Sequence, residues 1–396
     1  MALPSGKIEH TDLNTDFVAV DVESGTGKYT RVLKNRANAS SELFSYSKAS
    51  WIEDPSIVDD SLITTGVAYN ALSGKAATSH SHSIEDISNF GDWAVTSDAG
   101  NNIVFKILDI ENWTKVSTST FGKSSVYGIC YGDGKFIAVG IGGRLAYSSD
   151  GISWTKVSES KFGTAHIRGV CYGNGKFVAV GNDGKIIYSS DGTDWILVSD
   201  SKFDTTYIYS VCYGNGKFVA VGDSGKMAYS SDGISWTLVS NSTFGTSHIS
   251  SICYGNGKFV AVGESGKVAC SSNGVIWTPV SDSKFDTTYI YSVCYGNGKF
   301  VAVGDSGKMA YSSDGITWTL VSDSKFGSAS VIYGICYGNG KFVAVGSDGK
   351  MAYSSDAINW TAVSDSKFDT STIYSVCYGN GKFVAGGQHG KIAYCT

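Results

Sequence analysis

The fold is decided by residues 207–240, which read YIYSVCYGNGKFVAVGDSGKMAYSSDGISWTLVS and recur as close copies to the end of the chain. One cysteine marks each copy: Cys130, Cys171, Cys212, Cys253, Cys294, Cys336 and Cys377. A tryptophan marks the same repeat: Trp113, Trp154, Trp195, Trp236, Trp277, Trp318 and Trp360. Seven markers at a spacing of about 41 residues indicate a repeat architecture.

Each copy predicts four short β-strands, which in the quoted copy are residues 208–213, 217–221, 226–230 and 236–239. The Gly-Asn-Gly sequence at 214–216 supplies the positive φ angles of a tight hairpin, and residues 218–221 alternate with a period of two. Four strands in each of seven copies predict an all-β fold, a seven-bladed β-propeller. The last copy ends after its third strand, and a fourth-strand sequence at 112–117 precedes the first copy. We therefore expect this N-terminal strand to complete the last blade and close the ring.

The turn between the third and fourth strands reads Ser-Ser-Asp-Gly-Ile-Ser-Trp at 230–236. An aspartate here can accept hydrogen bonds from backbone N–H groups two residues on. The turn resembles the Asp-box of sialidases and related propellers, although it is one residue shorter between Asp and Gly. In that family the box forms a turn and is not catalytic. It recurs at Asp150, Asp191, Asp314 and Asp356, with Asn273 and Ala357 as departures.

Length and composition divide the chain and exclude several classes of protein. We predict an attachment region at 1–66, a linker at 67–100 and the propeller at 101–396. The net charge of −5 and the lack of a Lys/Arg cluster argue against nucleic-acid binding. The sequence contains no run of 18 apolar residues, so no transmembrane helix is predicted. The first residues lack the apolar region of an ordinary signal peptide, and we therefore expect synthesis in a cytoplasm.

The nine cysteines predict neither disulfides nor a zinc site. Seven are one repeated position, too far apart in neighbouring blades to pair, and we expect them to behave as small buried apolar residues. Cys270 and Cys395 replace residues of the third strand, without metal-ligand spacing.

The N-terminal region does not repeat. Residues 17–20 and 29–33 alternate like strands around Gly-Thr-Gly at 25–27, which predicts a small β-rich region, and the polar clusters at 38–47 and 56–61 predict loops. Residues 71–90 read ALSGKAATSHSHSIEDISNF. This stretch resembles a segment of bacteriophage tail fibres in which Gly-Lys-Ala is followed by His-x-His and then Ile-x-x-Ile. With a repetitive β C-terminus, it resembles the layout of a fibre of a phage or phage-tail-like particle.

The resemblance implies a homo-oligomer, with a parallel trimer as the form found in such fibres. His80 and His82 lie on the same side of an extended chain, and three chains would bring six imidazoles to a transition metal on the axis. The alternative is that both histidines are exposed polar residues of a linker. No other cofactor is predicted.

Sequence variation among the copies concentrates on the propeller face that carries the blade-to-blade connections. The positions five and three residues before each cysteine include His166 and Arg168, Tyr207 and Tyr209, His248, Tyr289 and Tyr291, and Tyr333. Tyrosines suit sugar or protein recognition because they combine apolar area with a polar tip. At the position three before cysteine, the alternative is packing between blades. The side chain five residues before each cysteine varies more among the copies, and we expect it to be exposed.

The repeated residues are scaffold, so the sequence predicts no enzyme. Sialidases use three arginines and this propeller has two, and no facing pair of carboxylates suggests a glycosidase. Neither phosphate loops nor calcium loops are predicted.

We therefore expect a non-enzymatic receptor-binding subunit of a phage tail or phage-tail-like particle, assembled in the host cytoplasm and exposed on the particle. Residues 1–100 would bind a tail, baseplate or other particle protein, and the propeller a bacterial surface glycan or protein. One alternative is a stand-alone lectin or adhesin, and another is a capsid or tail decoration protein. A trimer held by residues 1–100 favours the fibre, and a monomer favours the lectin.

Overall fold

The computed structural model describes residues 17–24, 28–35, 38–46, 93–97, 103–107 and 110–396. Near the N-terminus, β1 (Phe17–Ser24), β2 (Lys28–Asn35) and β3 (Asn38–Tyr46) form an antiparallel sheet in that order. The strand predictions at 17–20 and 29–33 are confirmed, but the loop predicted at 38–47 is wrong. Pairing with β2 makes residues 38–46 a strand despite their polar composition. The loop predicted at 56–61 and the domain boundaries near 66 and 100 lie outside the described residues.

The next strands lead into the propeller. β4 (Trp93–Ser97) and β5 (Ile103–Ile107) form a two-stranded sheet, and β6 (Thr114–Lys115) follows. Blade one consists of β7 (Val126–Gly132), β8 (Lys135–Gly140), β9 (Leu145–Ser148) and β10 (Thr155–Lys156). Blade two consists of β11 (Ile167–Gly173), β12 (Lys176–Gly181), β13 (Ile186–Ser189) and β14 (Ile196–Leu197). Blade three consists of β15 (Ile208–Gly214), β16 (Lys217–Gly222), β17 (Met227–Ser230) and β18 (Thr237–Leu238).

The remaining blades repeat this plan. Blade four consists of β19 (Ile249–Gly255), β20 (Lys258–Gly263), β21 (Val268–Ser271) and β22 (Thr278–Pro279). Blade five consists of β23 (Ile290–Gly296), β24 (Lys299–Gly304), β25 (Met309–Ser312) and β26 (Thr319–Leu320). Blade six consists of β27 (Ile332–Gly338), β28 (Lys341–Gly346), β29 (Met351–Ser354) and β30 (Thr361–Ala362). Blade seven consists of β31 (Ile373–Gly379), β32 (Lys382–Gly387), β33 (Ile392–Cys395) and β6.

The seven-bladed propeller with four-stranded antiparallel blades is thus confirmed, including the closing strand. Thr114 pairs with Tyr394 and Lys115 with Ala393. The Val116 N–H donates to the Ile392 carbonyl at 2.8 Å. Innermost strand β31 contacts β7, so the ring closes. Among the described residues no helix is long and apolar enough to cross a membrane.

The hydrophobic core lies between neighbouring blades rather than within one. Between blades two and three, Val178 packs with Val211, Phe218 and Trp236, all buried. Alternate residues of each inner strand face opposite neighbours, so Cys212 packs instead against the cluster between blades three and four. All nine cysteines are free, and burial raises the pKa of the Cys212 thiol well above its usual range. Each repeat therefore needs its neighbours to bury its core.

Two kinds of turn define the faces of the ring. The strand one–two hairpins and the strand three–four turns lie on one face, which we call the hairpin face. The connection face carries the strand two–three turns and the blade-to-blade connections. Each strand two–three turn is a short 3₁₀ turn: Ile141–Gly143, Asn182–Gly184, Asp223–Gly225, Glu264–Gly266, Asp305–Gly307, Ser347–Gly349 and Gln388–Gly390. On this face, Ser242 Oγ donates to the Gly225 carbonyl at 2.6 Å, which links the turn of blade three to the connection that follows it. Equivalent bonds occur in other blades, for example from Ser283 to Gly266.

The strand three–four turns on the hairpin face have the predicted hydrogen bonds. Asp314 Oδ1 accepts from the N–H groups of Ile316 at 2.8 Å and Thr317 at 2.7 Å, and Trp318 Nε1 donates to the Gly315 carbonyl. Asn273 keeps both acceptor contacts, with the Val275 and Ile276 N–H groups at 2.9 Å. An amide oxygen therefore accepts the same two hydrogen bonds as the carboxylate oxygen does.

These turns predict a loss of stability in acid. The Thr317 and Ile316 N–H groups lower the pKa of Asp314 to about 2. Burial opposes the same shift at Asp232, but hydrogen bonds from Ser235 and Ile234 together lower its pKa to about 2. A pKa depressed below the unfolded value of about 3.9 stabilises the fold above that pH. That stabilisation is lost as the pH falls through the folded pKa.

We expect the Tm of the double variant Asp232→Asn/Asp314→Asn to fall less than that of the wild type when the pH is lowered from 5 to 2.5. Asn273→Asp should lose more, because it adds one titrating carboxylate to the same turn. Circular dichroism melts at several pH values measure this. Parallel Tm curves for all three proteins would contradict the role given to the carboxylates.

Candidate functional site

A ring of seven side chains surrounds the mouth of the central channel on the connection face. It is formed by the residue three before each repeated cysteine: Tyr127, Arg168, Tyr209, Ser250, Tyr291, Tyr333 and Tyr374. Each lies at a register shift of the inner strand, between Ile208 and Ser210 in blade three, for example. A bulge leaves one residue unpaired and re-aims its side chain. The bulge thus directs these residues into the channel, which encloses about 170 Å³.

The tyrosines of this ring pack on one another from blade to blade in tilted and edge-to-face pairs. Tyr291 and Tyr333 have ring centroids 5.0 Å apart, Tyr333 and Tyr374 5.4 Å, and Tyr374 and Tyr127 5.3 Å. Tyr289, two residues before Tyr291, stacks on it at 4.6 Å. All are half-buried. Aromatic side chains that hold one another in place form a pre-organised surface.

Arg168 occupies the ring position of blade two. Its guanidinium carbon lies 5.6 Å from the ring centroids of Tyr127 and Tyr207 and 5.4 Å from that of Tyr209. Its Nε donates to Asn182 Oδ1 at 2.8 Å. Three aromatic faces and one amide fix the cation at the channel mouth. Tyr207 is 40% exposed and forms the outer wall of this cluster.

The predicted histidines lie at the same face. His248 Nε2 lies 3.0 Å from Asp223 Oδ1, and its ring stacks on Tyr209 with centroids 6.0 Å apart. His166 Nδ1 accepts from the Gly142 N–H at 3.0 Å and packs edge-on to Tyr127. Of the eight ligand-binding residues predicted from the sequence, four line the channel mouth and four contact residues that line it. The first four are Arg168, Tyr209, Tyr291 and Tyr333, and the others are His166, Tyr207, His248 and Tyr289.

The first residues of six of the seven 3₁₀ turns, all except Ile141, form an outer polar ring that the sequence prediction missed. Asn182 contacts Arg168, Asp223 contacts His248, and Asp305 accepts from the Tyr291 hydroxyl. Gln388 Nε2 donates to the Tyr374 hydroxyl at 3.2 Å. A signal was present in the sequence, because this position varies among the copies while its flanking glycines do not.

Burial and neighbouring carboxylates raise the pKa of two tyrosines of the ring. Burial, with Asp305 beside it, raises the pKa of Tyr291 to about 12. Burial and then Asp223 raise the pKa of Tyr209. The pKa of Asp305 is also raised, chiefly by burial. At neutral pH these tyrosines therefore stay uncharged, and the Tyr291 hydroxyl donates a hydrogen bond to Asp305.

The metal site predicted at His80 and His82 lies outside the described residues. Within residues 110–396, no group of three or more histidine, cysteine, aspartate or glutamate side chains could hold a metal ion. Arg144 stands at the position of the repeated lysine, and its Nη1 lies 3.5 Å from the Thr120 carbonyl oxygen.

The fold and this surface define a seven-bladed β-propeller with an aromatic and polar channel mouth. Residues 244–383, roughly a third of the chain, match the model of the family described as the DUF6242 beta propeller domain. No curated protein matches the chain.

Several solved structures share the fold. A structure described as YCF48 bound to D1 peptide has 14% identity and a TM-score of 0.59, covering 78% of this chain and 96% of that one. YCF48 from Cyanidioschyzon merolae has 17% identity and a TM-score of 0.58, covering 72% and 98%. A catalytically inactive variant of virginiamycin B lyase from Staphylococcus aureus, described with quinupristin, has 11% identity and a TM-score of 0.61, covering 72% and 99%. At these identities the likeness shows the fold alone, and function must be argued from the site.

Proposed function

We propose that the protein is a non-enzymatic receptor-binding subunit of a bacteriophage tail or phage-tail-like particle. The connection face of the propeller binds a glycan or protein of the bacterial surface, and residues 1–100 attach the subunit to the particle. The subunit assembles in the host cytoplasm and is exposed on the particle. The tail-fibre resemblance of residues 71–90 supports the particle, and the channel mouth supports the binding role.

The observation that carries the binding role is the cluster of Arg168 with Tyr127, Tyr207 and Tyr209. Tyrosine and arginine dominate the energetics of binding surfaces, particularly where they are already held in place. Repeated scaffold alone does not explain this cluster, because Arg168 occurs in one blade only.

The non-enzymatic part of the proposal rests on the contacts that the charged side chains around the channel mouth make. Asp223 is paired with His248, and Glu264 Oε2 accepts from the His248 backbone N–H at 3.1 Å. Arg168 is held by Asn182 and three aromatic rings. These contacts position a surface, and none of them activates a nucleophile.

The test is saturation binding of the fluorescently labelled full chain to a panel of intact bacterial cells. Arg168→Ala with Tyr207→Ala should weaken binding by roughly 30-fold or more, the effect of losing a binding hot spot. The matched control is Ile276→Ser, which changes a residue 72% exposed in a hairpin-face turn and should leave affinity unchanged.

Two outcomes would contradict the proposal. Equal losses for the control and the double variant would remove the connection face from the binding role. Absence of saturable binding to every cell type would favour a decoration protein of the capsid or tail.

A further inference from the structure

The connection face carries a second concave site beside the channel mouth. It is an open depression of about 540 Å³ between the turns of blades four and five and the connection that enters blade six. Glu264 and Asp305 contribute carboxylates from the two turns, and Tyr289 contributes an aromatic ring. The volume is that of an ordinary small-ligand pocket.

An insertion distinguishes the connection that forms one wall. The stretch from Phe326 to Ile332 has one residue more than the equivalent stretch from Phe285 to Ile290. The Ser330 carbonyl accepts from the Gly307 N–H at 2.6 Å, a contact specific to this connection among the described residues. Val331 then stands where four of the other six repeats have tyrosine or histidine. A longer wall and a smaller side chain leave the space open.

Blades three and five provide a matched comparison, because residues 204–234 and 286–316 have the same sequence. In blade three, Asp223 Oδ1 lies 3.0 Å from Nε2 of His248, which enters from the next connection. In blade five, the residue that enters is Val331, which cannot pair with Asp305. Asp305 contacts the Tyr291 hydroxyl instead, and it forms no ion pair with any residue of 110–396. One copy of this aspartate is therefore occupied, and the other lines an open space.

The lining suits a polyhydroxylated ring. A carboxylate can accept from two neighbouring hydroxyl groups, and such charge-assisted hydrogen bonds are strong. The ring of Tyr289 offers an apolar face beside them, and hydroxyls of Thr287, Thr288 and Ser306 add donors and acceptors. Two carboxylates in one partly desolvated site disfavour an anionic ligand.

We propose that this depression binds a terminal pyranose of a surface glycan, either a neutral sugar or one that carries an amine, and discriminates against acidic sugars. This inference rests on the proposed receptor-binding function and names the class of ligand. Glu264 and Asp305 accept the hydrogen bonds of the sugar, and Tyr289 covers its apolar face.

The test uses the full chain on immobilised oligosaccharides that end in neutral hexoses, hexosamines, hexuronic acids or sialic acids. We expect binding to neutral or amine-bearing ends and none to acidic ends. Asp305→Asn should weaken binding about tenfold, the worth of a hydrogen bond to a charged group. Asp348→Asn is the control, since it changes an exposed carboxylate in the equivalent turn of blade six, which does not line the depression, and it should leave glycan binding unchanged.

Val331→Tyr provides a second variant that should fold normally, because tyrosine occupies this position in blades three and five. It should fill the depression and abolish glycan binding. Binding to acidic ends as tight as to neutral ends, or unchanged binding by both Asp305→Asn and Val331→Tyr, would overturn the inference.

Cell binding separates this inference from the function on which it rests. If Val331→Tyr still binds cells as the wild type does, the depression is not the receptor site and the proposed function stands. If protease treatment of the cells abolishes binding, the receptor is a protein and the glycan inference fails. Release of reducing sugar from a bound glycan would overturn the non-enzymatic part of the proposed function.

Discussion

Replacing Trp113 with alanine is expected to lower the free energy of unfolding of the propeller by about 3–5 kcal/mol. Trp113 is 2% exposed and packs between blades six and seven, against Phe368, Phe383 and Met351. It immediately precedes β6, the strand that completes blade seven. The substitution therefore removes core packing at the one place where the two ends of the ring are joined only by hydrogen bonds and side chains.

Trp236→Ala is the matched control, because it removes the equivalent side chain between blades two and three, where the chain is continuous. Both variants should lose a similar amount of stability in urea unfolding. Only Trp113→Ala should also lose hydrogen-exchange protection at the Val116 amide, which donates to Ile392. Wild-type stability for Trp113→Ala, or equal loss of Val116 protection in both variants, would contradict the closing role.

Gly214→Ala is expected to destabilise the propeller by about 3 kcal/mol through overpacking. A methyl group on Gly214 would lie 2.0 Å from Cγ of Tyr254 in the next blade, well inside contact distance. Tyr254 cannot retreat easily, because its ring packs on Phe259 with centroids 4.7 Å apart. Equivalent glycine–tyrosine contacts recur around the ring and end with Gly379 against Tyr131.

Gly216→Ala in the same hairpin separates steric clash from backbone strain. Gly216 has φ +72° with no atom within 4 Å of the added methyl group, so this change should cost only about 1 kcal/mol. Urea midpoints of both variants and of Gly214→Ala with Tyr254→Ala provide the comparison. The double variant should be less destabilised than the sum of its single changes, because removal of the ring relieves the clash. Equal costs for Gly214→Ala and Gly216→Ala would contradict the proposed close packing.

Much of the fold follows from the repeat alone. The spacing of cysteine and tryptophan, the Gly-Asn-Gly hairpins and the displaced strand at 112–117 predicted the blades and their closure. The positive φ of Asn215 and Gly216, 46° and 72°, is the hairpin geometry that the sequence predicted. Local sequence decides these features, so they can be predicted without knowledge of tertiary contacts.

The site depends on contacts that a sequence pattern does not contain. The sequence placed Tyr209 and its equivalents on the correct face but left open whether they pack between blades. The bulge after Ile208 determines where these side chains lie, because the bulge turns the unpaired residue into the channel. Similarly, the pairing of Asp223 with His248 and the open position of Asp305 depend on which connection meets which turn in space.

The most direct test of the central claim is to locate the bound surface. The full chain would be bound at saturation to a bacterial cell type and footprinted with hydroxyl radicals. The labelling of each residue would then be compared with its labelling in the free protein. Binding through the connection face predicts protection of Tyr207, Tyr289 and His248, with Ile276 and the other exposed isoleucines of the hairpin face labelled as before. Protection of the hairpin face with unchanged labelling of those three residues would contradict the account.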